Sequence, residues 1–145
     1  MVTVLLVRHA DIDLPPASAD PPLNAAGRAR AKALAQLVGA AGVTAVFTSS
    51  FTRTKQTVKA LASQLGIQPQ EAPPALVQLV LSGAAGPAVL VAGHSNTVPQ
   101  MITALGGLPP GVVIGENEFD NLFVVTAGGP GGASVVRLKY GKSSA

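Results

Sequence analysis

Val2-Thr3-Val4-Leu5-Leu6-Val7-Arg8-His9 is the stretch of sequence that decides the fold, because it is an unbroken apolar run that ends at a histidine. Val89-Leu90-Val91-Ala92-Gly93-His94 has the same form, and the chain contains no other histidine. Such runs are typical of parallel strands that are covered on both faces. Ligands of open α/β sheets bind outside the carboxyl ends of these strands. We therefore expect both imidazoles at one edge of a sheet, although either histidine alone would be interpreted as a structural, hydrogen-bonded group.

The composition predicts one folded domain spanning residues 1–145. Hydrophobic residues make up 48% of the chain and charged residues 12%, which excludes a disordered protein. The net charge is +3, but no two lysines or arginines are adjacent, and aromatic residues amount to only 3%. The basic stripe and the stacking platforms of nucleic-acid binders are missing, so the positive charge suits a small anionic ligand better than nucleic acid.

The chain has no cysteine, which excludes a disulfide framework, a thiolate nucleophile and a cysteine-based metal site. Two histidines are also few for zinc, and we expect neither a metal nor a cofactor. No apolar stretch approaches the roughly 18 residues of a membrane span, and the stretch Val2 to Val7 is too short for a signal peptide. We therefore expect a cytoplasmic protein that does not bind membranes.

A proline-rich loop from Asp11 to Pro22 follows the first strand and is stiff enough to form one wall of a pocket. Asn24 then offers a helix N-cap, and the helical pattern behind it ends at Gly42. The charged residues of this helix are spread around it and are predicted to be solvated: Arg28, Arg30 and Lys32.

Strand and helix patterns continue to alternate along the chain. The sequence predicts a strand at 43–47 and then a helix that Thr48-Ser49-Ser50 caps and Gly66 ends, with an inner face running from Thr54 to Leu65. A weak strand at 67–71 and a short helix at 75–81 follow. A helix at 97–105, the loop Pro109-Pro110-Gly111 and a hairpin of strands 121–126 and 134–140 follow the second histidine. This order predicts a three-layer α/β/α fold with a mostly parallel central sheet and one antiparallel strand.

Two arginines accompany the histidines. Arg8 directly precedes His9, and Arg53 lies in the first turn of the second long helix, where the helix dipole disfavours a cation unless an anion is held there as well. Phosphoryl transfer requires fixed positive charge on the phosphoryl oxygens, and the guanidinium fork matches a phosphate. One histidine can accept the phosphoryl group covalently, while the other can donate a proton or a hydrogen bond. Arg8, His9, Arg53 and His94 are therefore the candidate site.

A serine hydrolase centred on Ser95 is an alternative, because Gly93-His94-Ser95-Asn96-Thr97 follows a strand and precedes a helix, as a nucleophile elbow does. The second glycine of that motif is replaced by Thr97, and no histidine follows His94 in the sequence to serve the serine. Both facts make this the weaker hypothesis.

Four motifs stand in order along nearly the whole chain: Leu6-Val7-Arg8-His9-Ala10, Leu23-Asn24-Ala25-Ala26-Gly27-Arg28, Thr48-Ser49-Ser50-Phe51-Thr52-Arg53-Thr54-Lys55-Gln56-Thr57 and Gly93-His94-Ser95. Together they resemble the motifs of the histidine phosphatase superfamily, also called phosphoglycerate mutase-like, with Ala10 in place of the usual glycine. The resemblance implies a sheet whose first strand is central. It also implies that His9 is the catalytic nucleophile, forming a phosphohistidine that water hydrolyses, and that Arg8, Arg53 and His94 bind the phosphoryl group.

A general acid is the missing part of this resemblance. Larger members carry a glutamate between the second arginine motif and the second histidine, but here Glu71 is the only carboxylate in that interval, and it falls in the third strand, away from the site. Asp11, two residues beyond the nucleophile, and Glu118, in the loop before the hairpin, are the tentative candidates. Proton donation matters most when the leaving group is an alkoxide.

The short chain looks like the small bacterial phosphohistidine phosphatases and leaves little material for a lid. We therefore predict a phosphatase that acts on a phosphohistidine protein or on a small phosphorylated substrate. A phosphate-binding or phosphoprotein-binding module without turnover is the alternative function. A phosphoglycerate mutase is a weaker one, because returning a phosphoryl group to a bound intermediate requires an enclosed pocket that excludes water.

Overall fold

The computed structural model describes residues 1–107 and 112–144 of the chain. Its elements are, in chain order, β1 (Val2–Arg8), α1 (Ala25–Val38), β2 (Ala45–Thr48), α2 (Thr52–Leu65), β3 (Gln70–Glu71), α3 (Leu76–Leu81), β4 (Ala88–Gly93), α4 (Thr97–Ala104), β5 (Asn121–Ala127) and β6 (Ser134–Lys139). The predicted loop of Pro109, Pro110 and Gly111 lies outside the described residues.

The strands form one sheet in the order β3-β2-β4-β1-β5-β6. β1, β2, β3 and β4 are parallel, whereas β5 runs antiparallel to both of its neighbours, β1 and β6. β5 is therefore the one reversed strand of the described sheet, and β1 lies in its interior, between β4 and β5. Both features confirm what the sequence and the family resemblance predicted.

The two faces of β1 belong to different halves of the core. Leu5 and Val7 pack in the cluster that includes the buried faces of α1 and α2, whereas Val4 and Leu6 pack in the cluster of α3 and α4. Because both faces are buried, the strand shows no apolar and polar alternation in its sequence. Helices on both faces complete the three-layer α/β/α fold and confirm the predicted fold class.

α1 begins as predicted, because the Asn24 side chain accepts a hydrogen bond from the Gly27 N–H over 2.9 Å. Gly27 is required at this point, since a Cβ there would collide with the carbonyl oxygen of Asp11. The helix ends at Val38, earlier than predicted, and Gly42 lies in the following turn with φ 77°.

The start of α2 corrects one prediction. The hydroxyls at 48–50 do not cap this helix; Phe51 occupies the N-cap position without a side-chain hydrogen bond. Instead, the carboxylate of Asp20, from the loop after β1, accepts hydrogen bonds from the N–H and the hydroxyl of Thr52 over 2.9 and 2.7 Å. The other end is as predicted, because Gly66 adopts the left-handed conformation at φ 68°. The proline-rich loop is thus fastened to the beginning of α2.

Candidate active site

The ends of β1 and β4 bring the two histidines together. In the parallel ladder of these strands Arg8 pairs with Gly93, and the His9 N–H donates to the Gly93 carbonyl over 2.8 Å. His94 directly follows Gly93, and the two imidazole centroids are 5.4 Å apart. The structure thus places both imidazoles at one sheet edge, as the two apolar runs predict.

The ring of His9 is fixed in one tautomer by the backbone of the next residue, Ala10. Its Nδ1 lies 2.8 Å from the carbonyl oxygen of Ala10, and because a carbonyl only accepts, Nδ1 must carry the hydrogen. Burial, together with the nearby Arg8 and His94, lowers the pKa of His9 to about 4, although the hydrogen bond to Ala10 opposes this change. The imidazole is therefore neutral at pH 7, with its Nε2 lone pair available to attack an electrophile.

Arg8 is buried beside His9, and its guanidinium group binds the loop before β5. Its Nη1 donates to the carbonyl oxygens of Gly115, Glu116 and Glu118 over 3.1, 2.9 and 2.8 Å. The same group lies 4.1 Å from the centroid of the Phe119 ring. Its Nε is buried and has no hydrogen-bond partner among the described residues. Arg8 therefore holds the loop before β5 and retains a free donor.

Arg53 projects from the first turn of α2 and is even less satisfied. Its Nε and Nη1 are buried without a hydrogen-bond partner in the described part of the chain. The Asp20 carboxylate lies 4.0 Å from Nη1, at ion-pair but not hydrogen-bond distance, and hydrogen bonds from the Thr52 hydroxyl and N–H hold the pKa of Asp20 below its ordinary value. Unpaired buried donors are costly, so they indicate a site prepared for an anion.

His94 is held by the strand-to-helix segment before α2. Its Nε2 lies 2.9 Å from the Ser49 hydroxyl oxygen, which is in turn 2.9 Å from the Thr54 hydroxyl oxygen. Burial, together with the charges of Arg53 and Arg8, lowers the pKa of His94 to about 4. An anion bound between the two arginines would weaken both electrostatic effects and favour a protonated His94.

These side chains share a cavity of about 490 Å³. One wall is the proline-rich loop after β1, which confirms that this loop borders a pocket. The lining residues are Arg8, His9, Ile12, Leu14, Pro16, Phe51, Arg53, His94, Ser95, Asn96, Thr97 and Glu116. Two guanidinium groups and two neutral imidazoles therefore converge on one space that can accept a phosphoryl group.

Neither tentative acid lines this cavity. Asp11 faces a different cavity and pairs with Arg30, whose Nε donates to Asp11 Oδ1 over 2.6 Å. Arg30 itself is buried, so the prediction that it is solvated is wrong: the guanidinium also donates to the carbonyl oxygens of Tyr140 and Lys142. The Asp11 carboxylate is thus engaged in an ion pair with α1 and does not face the cavity of the two histidines.

Glu118 is likewise committed elsewhere. The Gly115 N–H and the Asn121 amide donate to its carboxylate, and Arg137 and Lys139 pair with it over 2.6 and 2.9 Å. The hydrogen bond from Gly115, followed by those from Asn121 and Lys139, lowers the pKa of Glu118 to about 2. These contacts hold the Glu118 carboxylate outside the cavity that contains the two histidines.

Glu116 is the carboxylate that the sequence reasoning missed. It lines the cavity with both histidines, from the loop that Arg8 holds. A signal was present in the sequence, because β5 is antiparallel to β1 and its beginning must therefore lie at the edge where β1 ends. The carboxylates that precede β5 were thus all candidates, and the choice among them depended on the path of the loop.

Ser95 lines the cavity but has no histidine as a base. His94 Nε2 contacts Ser49 and His9 Nδ1 contacts Ala10, so neither histidine hydrogen-bonds to Ser95 within residues 1–107 and 112–144. In the same described ranges, no group of three or more His, Cys, Asp or Glu side chains converges in a way that could hold a metal ion. The helices described here also include none with the length and apolarity needed to cross a membrane.

Sequence comparison identifies the class of protein to which this fold and site belong. The family described as "Histidine phosphatase superfamily (branch 1)" matches residues 4–76, which is half of the chain and includes Arg8, His9 and Arg53. The chain belongs to the histidine phosphatase superfamily, which confirms the resemblance carried by its motifs. His94 lies beyond the matched residues and joins the site through the β1–β4 ladder. No curated protein matches the chain in sequence.

Solved structures confirm the fold. The protein histidine phosphatase SixA in complex with tungstate superposes with a TM-score of 0.74 at 22% identity, covering 95% of this chain and 97% of SixA. A mycobacterial glucosyl-3-phosphoglycerate phosphatase in complex with inorganic phosphate gives 0.72 at 14% identity, with 99% of each chain covered. YhfR of Bacillus stearothermophilus gives 0.69 at 16% identity, covering 94% of this chain and 96% of its own. Family and fold together support the predicted phosphatase class of enzyme.

Proposed function

We propose that this protein hydrolyses phosphorylated substrates through a covalent phosphohistidine on His9. The observation that carries the proposal is the His9 tautomer: the hydrogen bond from Nδ1 to the Ala10 carbonyl leaves Nε2 unprotonated beside two guanidinium groups with unpaired N–H donors. In the first step Nε2 attacks phosphorus and the leaving group departs. In the second step water attacks the phosphohistidine and releases phosphate.

Arg8, Arg53 and His94 are the proposed phosphoryl ligands. Charge on the phosphoryl oxygens is stabilised by fixed donors aimed at them, and fixed donors need no reorganisation during the reaction. The stacking of Arg8 on Phe119 at 4.1 Å and of Arg53 on Phe51 at 4.5 Å supports such rigidity. A dianion between the arginines would also draw a proton to His94, which then donates to a phosphoryl oxygen.

The proposed substrate is a phosphoryl group exposed on a protein, with phosphohistidine as the first choice. Pro16, Phe51 and Thr97 line the cavity and are exposed, so a large substrate can approach it. The similarity to SixA, a protein histidine phosphatase, supports this choice, whereas the similarity to glucosyl-3-phosphoglycerate phosphatase supports a small phosphomonoester. The proposed location is the cytoplasm, since the chain has no cysteine for the disulfides typical of small secreted domains.

Trapping of the intermediate tests the proposal. Wild-type protein is mixed with a radiolabelled phosphohistidine protein or with a labelled small phosphomonoester, quenched in denaturant and separated by size. We expect an alkali-stable, acid-labile label on the wild-type chain, no label on His9→Ala, and turnover of at least one of the two substrates.

Ser95→Ala serves as the comparison variant, because it should keep both label and turnover. A serine hydrolase would show the reverse pattern, losing activity in Ser95→Ala and keeping it in His9→Ala. A protein that binds the phosphorylated substrates but never acquires the label would instead be a binding module.

A further inference from the structure

We infer that Glu116 is the proton-transfer residue of this site, giving a proton to the leaving group and later taking one from water. The inference rests on the proposed function of His9. Among the described residues, Glu116 is the one Asp or Glu that lines the cavity containing His9 and His94. The other carboxylates near this edge are committed to partners: Asp11 to Arg30, Asp20 to Thr52 and Glu118 to Lys139.

The backbone of Glu116 is fixed relative to the nucleophile. Its carbonyl oxygen accepts from Arg8 Nη1 over 2.9 Å, and Arg8, the last residue of β1, directly precedes His9. The Gly115 N–H donates to Glu118 Oε1 over 3.0 Å, which closes the loop on both sides of Glu116. The loop therefore delivers this residue to the cavity at a defined position.

The carboxylate of Glu116, by contrast, is free to act. It is exposed and makes no hydrogen bond or ion pair within the described residues, whereas Glu118, two residues later, is engaged by four donors. Burial lowers the pKa of Arg8, and Glu116 is the acidic group that opposes this change most strongly. The Glu116 carboxylate therefore lies close enough to the site to interact electrostatically with Arg8. Proximity to the phosphoryl ligand and freedom from other partners are what a proton donor in this cavity requires.

The two half-reactions balance with one carboxyl group. In the first, the bond from His9 Nε2 to phosphorus forms, the bond from phosphorus to the leaving oxygen or nitrogen breaks with its electron pair, and Glu116 gives its proton to that atom. In the second, the water oxygen bonds to phosphorus, the Nε2–P bond breaks with its electron pair returning to Nε2, and the Glu116 carboxylate takes the water proton. The net reaction is hydrolysis, and Glu116 ends in its initial state.

This role makes a distinctive prediction about the leaving group. An alkoxide is a strong base and needs a proton as it departs, whereas p-nitrophenolate departs without one. For Glu116→Gln we expect kcat/KM to fall on the order of 10²–10⁴-fold for a serine phosphate peptide, but less than about 10-fold for p-nitrophenyl phosphate. Hydrolysis of the intermediate should also slow, so p-nitrophenolate should appear in a burst and labelled His9 should accumulate.

Glu71→Gln is the matched control, since it makes the same change at an exposed carboxylate that pairs with Lys55 outside the cavity. We expect it to behave as wild type with both substrates. A Glu116→Gln protein that loses equal activity toward both substrates, or that loses none, would overturn the inference while leaving His9 as the nucleophile. Failure of wild-type protein to acquire label on His9 would overturn the proposed function and this inference with it.

Discussion

Arg30 and Asp11 form a buried, two-point ion pair between α1 and the segment that follows the nucleophile. Arg30 Nε donates to Asp11 Oδ1 over 2.6 Å and Nη2 to Oδ2 over 3.4 Å. The same guanidinium donates to the carbonyl oxygens of Tyr140 and Lys142 over 2.8 and 2.9 Å. One side chain thus joins the loop after β1 to the segment after β6.

Replacement of Asp11 should therefore affect stability rather than chemistry. Asp11→Asn leaves a buried guanidinium without its counter-ion, which costs about 3 kcal/mol of unfolding free energy. We expect a lower urea midpoint and an unchanged kcat per folded molecule under stabilising conditions. A large loss of kcat in fully folded Asp11→Asn protein would instead restore Asp11 as a candidate acid.

Gly27→Ala tests how closely α1 approaches the loop after β1. Alanine is favoured over glycine within a helix by about 1 kcal/mol, yet the added Cβ would collide with the Asp11 carbonyl oxygen. Overpacking against backbone should outweigh that gain, so we expect a net loss of about 2 kcal/mol in urea unfolding. The exposed Ala26→Gly is the comparison, with a loss of about 1 kcal/mol from helix propensity alone. Equal stability of Gly27→Ala and wild type would mean that α1 can move away from the loop.

Arg53→Met should separate stability from function. The wild-type side chain buries two N–H donors without partners in the described residues, and an apolar chain of similar length removes that penalty. We expect unfolding free energy to rise by about 1 kcal/mol, while kcat/KM falls on the order of 10²-fold or more because a phosphoryl ligand is lost. Isothermal titration with tungstate should show weaker binding to the variant. Reduced stability would indicate that the contacts with Phe51 and Asp20 outweigh the unpaired donors.

Unfolding free energy should rise with pH between about 4 and 6.5. The pKa values of His9 and His94 are lowered from 6.5 to about 4 in the folded protein, so the unfolded chain binds more protons in this interval. Stability then increases by up to about 1.4 kcal/mol per pH unit for each histidine and levels off above pH 6.5. His94→Asn should show a shallower rise in urea unfolding at pH 4.5, 5.5 and 6.5. Superimposable pH profiles for the two proteins would contradict the lowered pKa of His94.

In the pH profile of kcat/KM, the loss of activity on the acidic side should have its midpoint well below pH 6.5. kcat/KM reports ionisations of the free enzyme, and His9, the proposed nucleophile, is neutral above its pKa of about 4. With a substrate whose own ionisation does not change over this interval, we expect activity to persist at pH 5. Loss of activity with a midpoint near 6.5 would mean that the nucleophile titrates like a solvated histidine.

The parts of this protein that sequence reasoning predicted are those governed by local pattern. The apolar runs before His9 and His94 determine two buried parallel strands, and the strand ends place these residues at the same edge. Asn24 and Gly66 mark helix ends through backbone geometry that few other residues provide as well. Such signals lie within a few residues of the structure they specify.

The errors concern contacts made by irregular segments. Arg30 lies among charges spread around a helix, and only the path of the loop after β1 brings Asp11 to it. Glu116 and Glu118 are two residues apart in a loop, where no periodicity indicates which one enters the cavity. Long-range contacts of loops depend on the finished fold, and for this reason the sequence did not indicate that Glu116, and not Asp11 or Glu118, lines the cavity.

The β1–β4 ladder also has an evolutionary consequence. Because Arg8 and Gly93 are register partners, the backbones that carry His9 and His94 are separated by the spacing of adjacent strands, about 4.8 Å. Core substitutions can change the thickness of the layers, and loop substitutions can change what enters the cavity, without altering that interval. The distance between the two histidine-bearing backbones thus depends on the hydrogen bonds of the β1–β4 ladder. Residues elsewhere in the chain can therefore change during evolution, and with them the substrates that the site accepts, while this distance is kept.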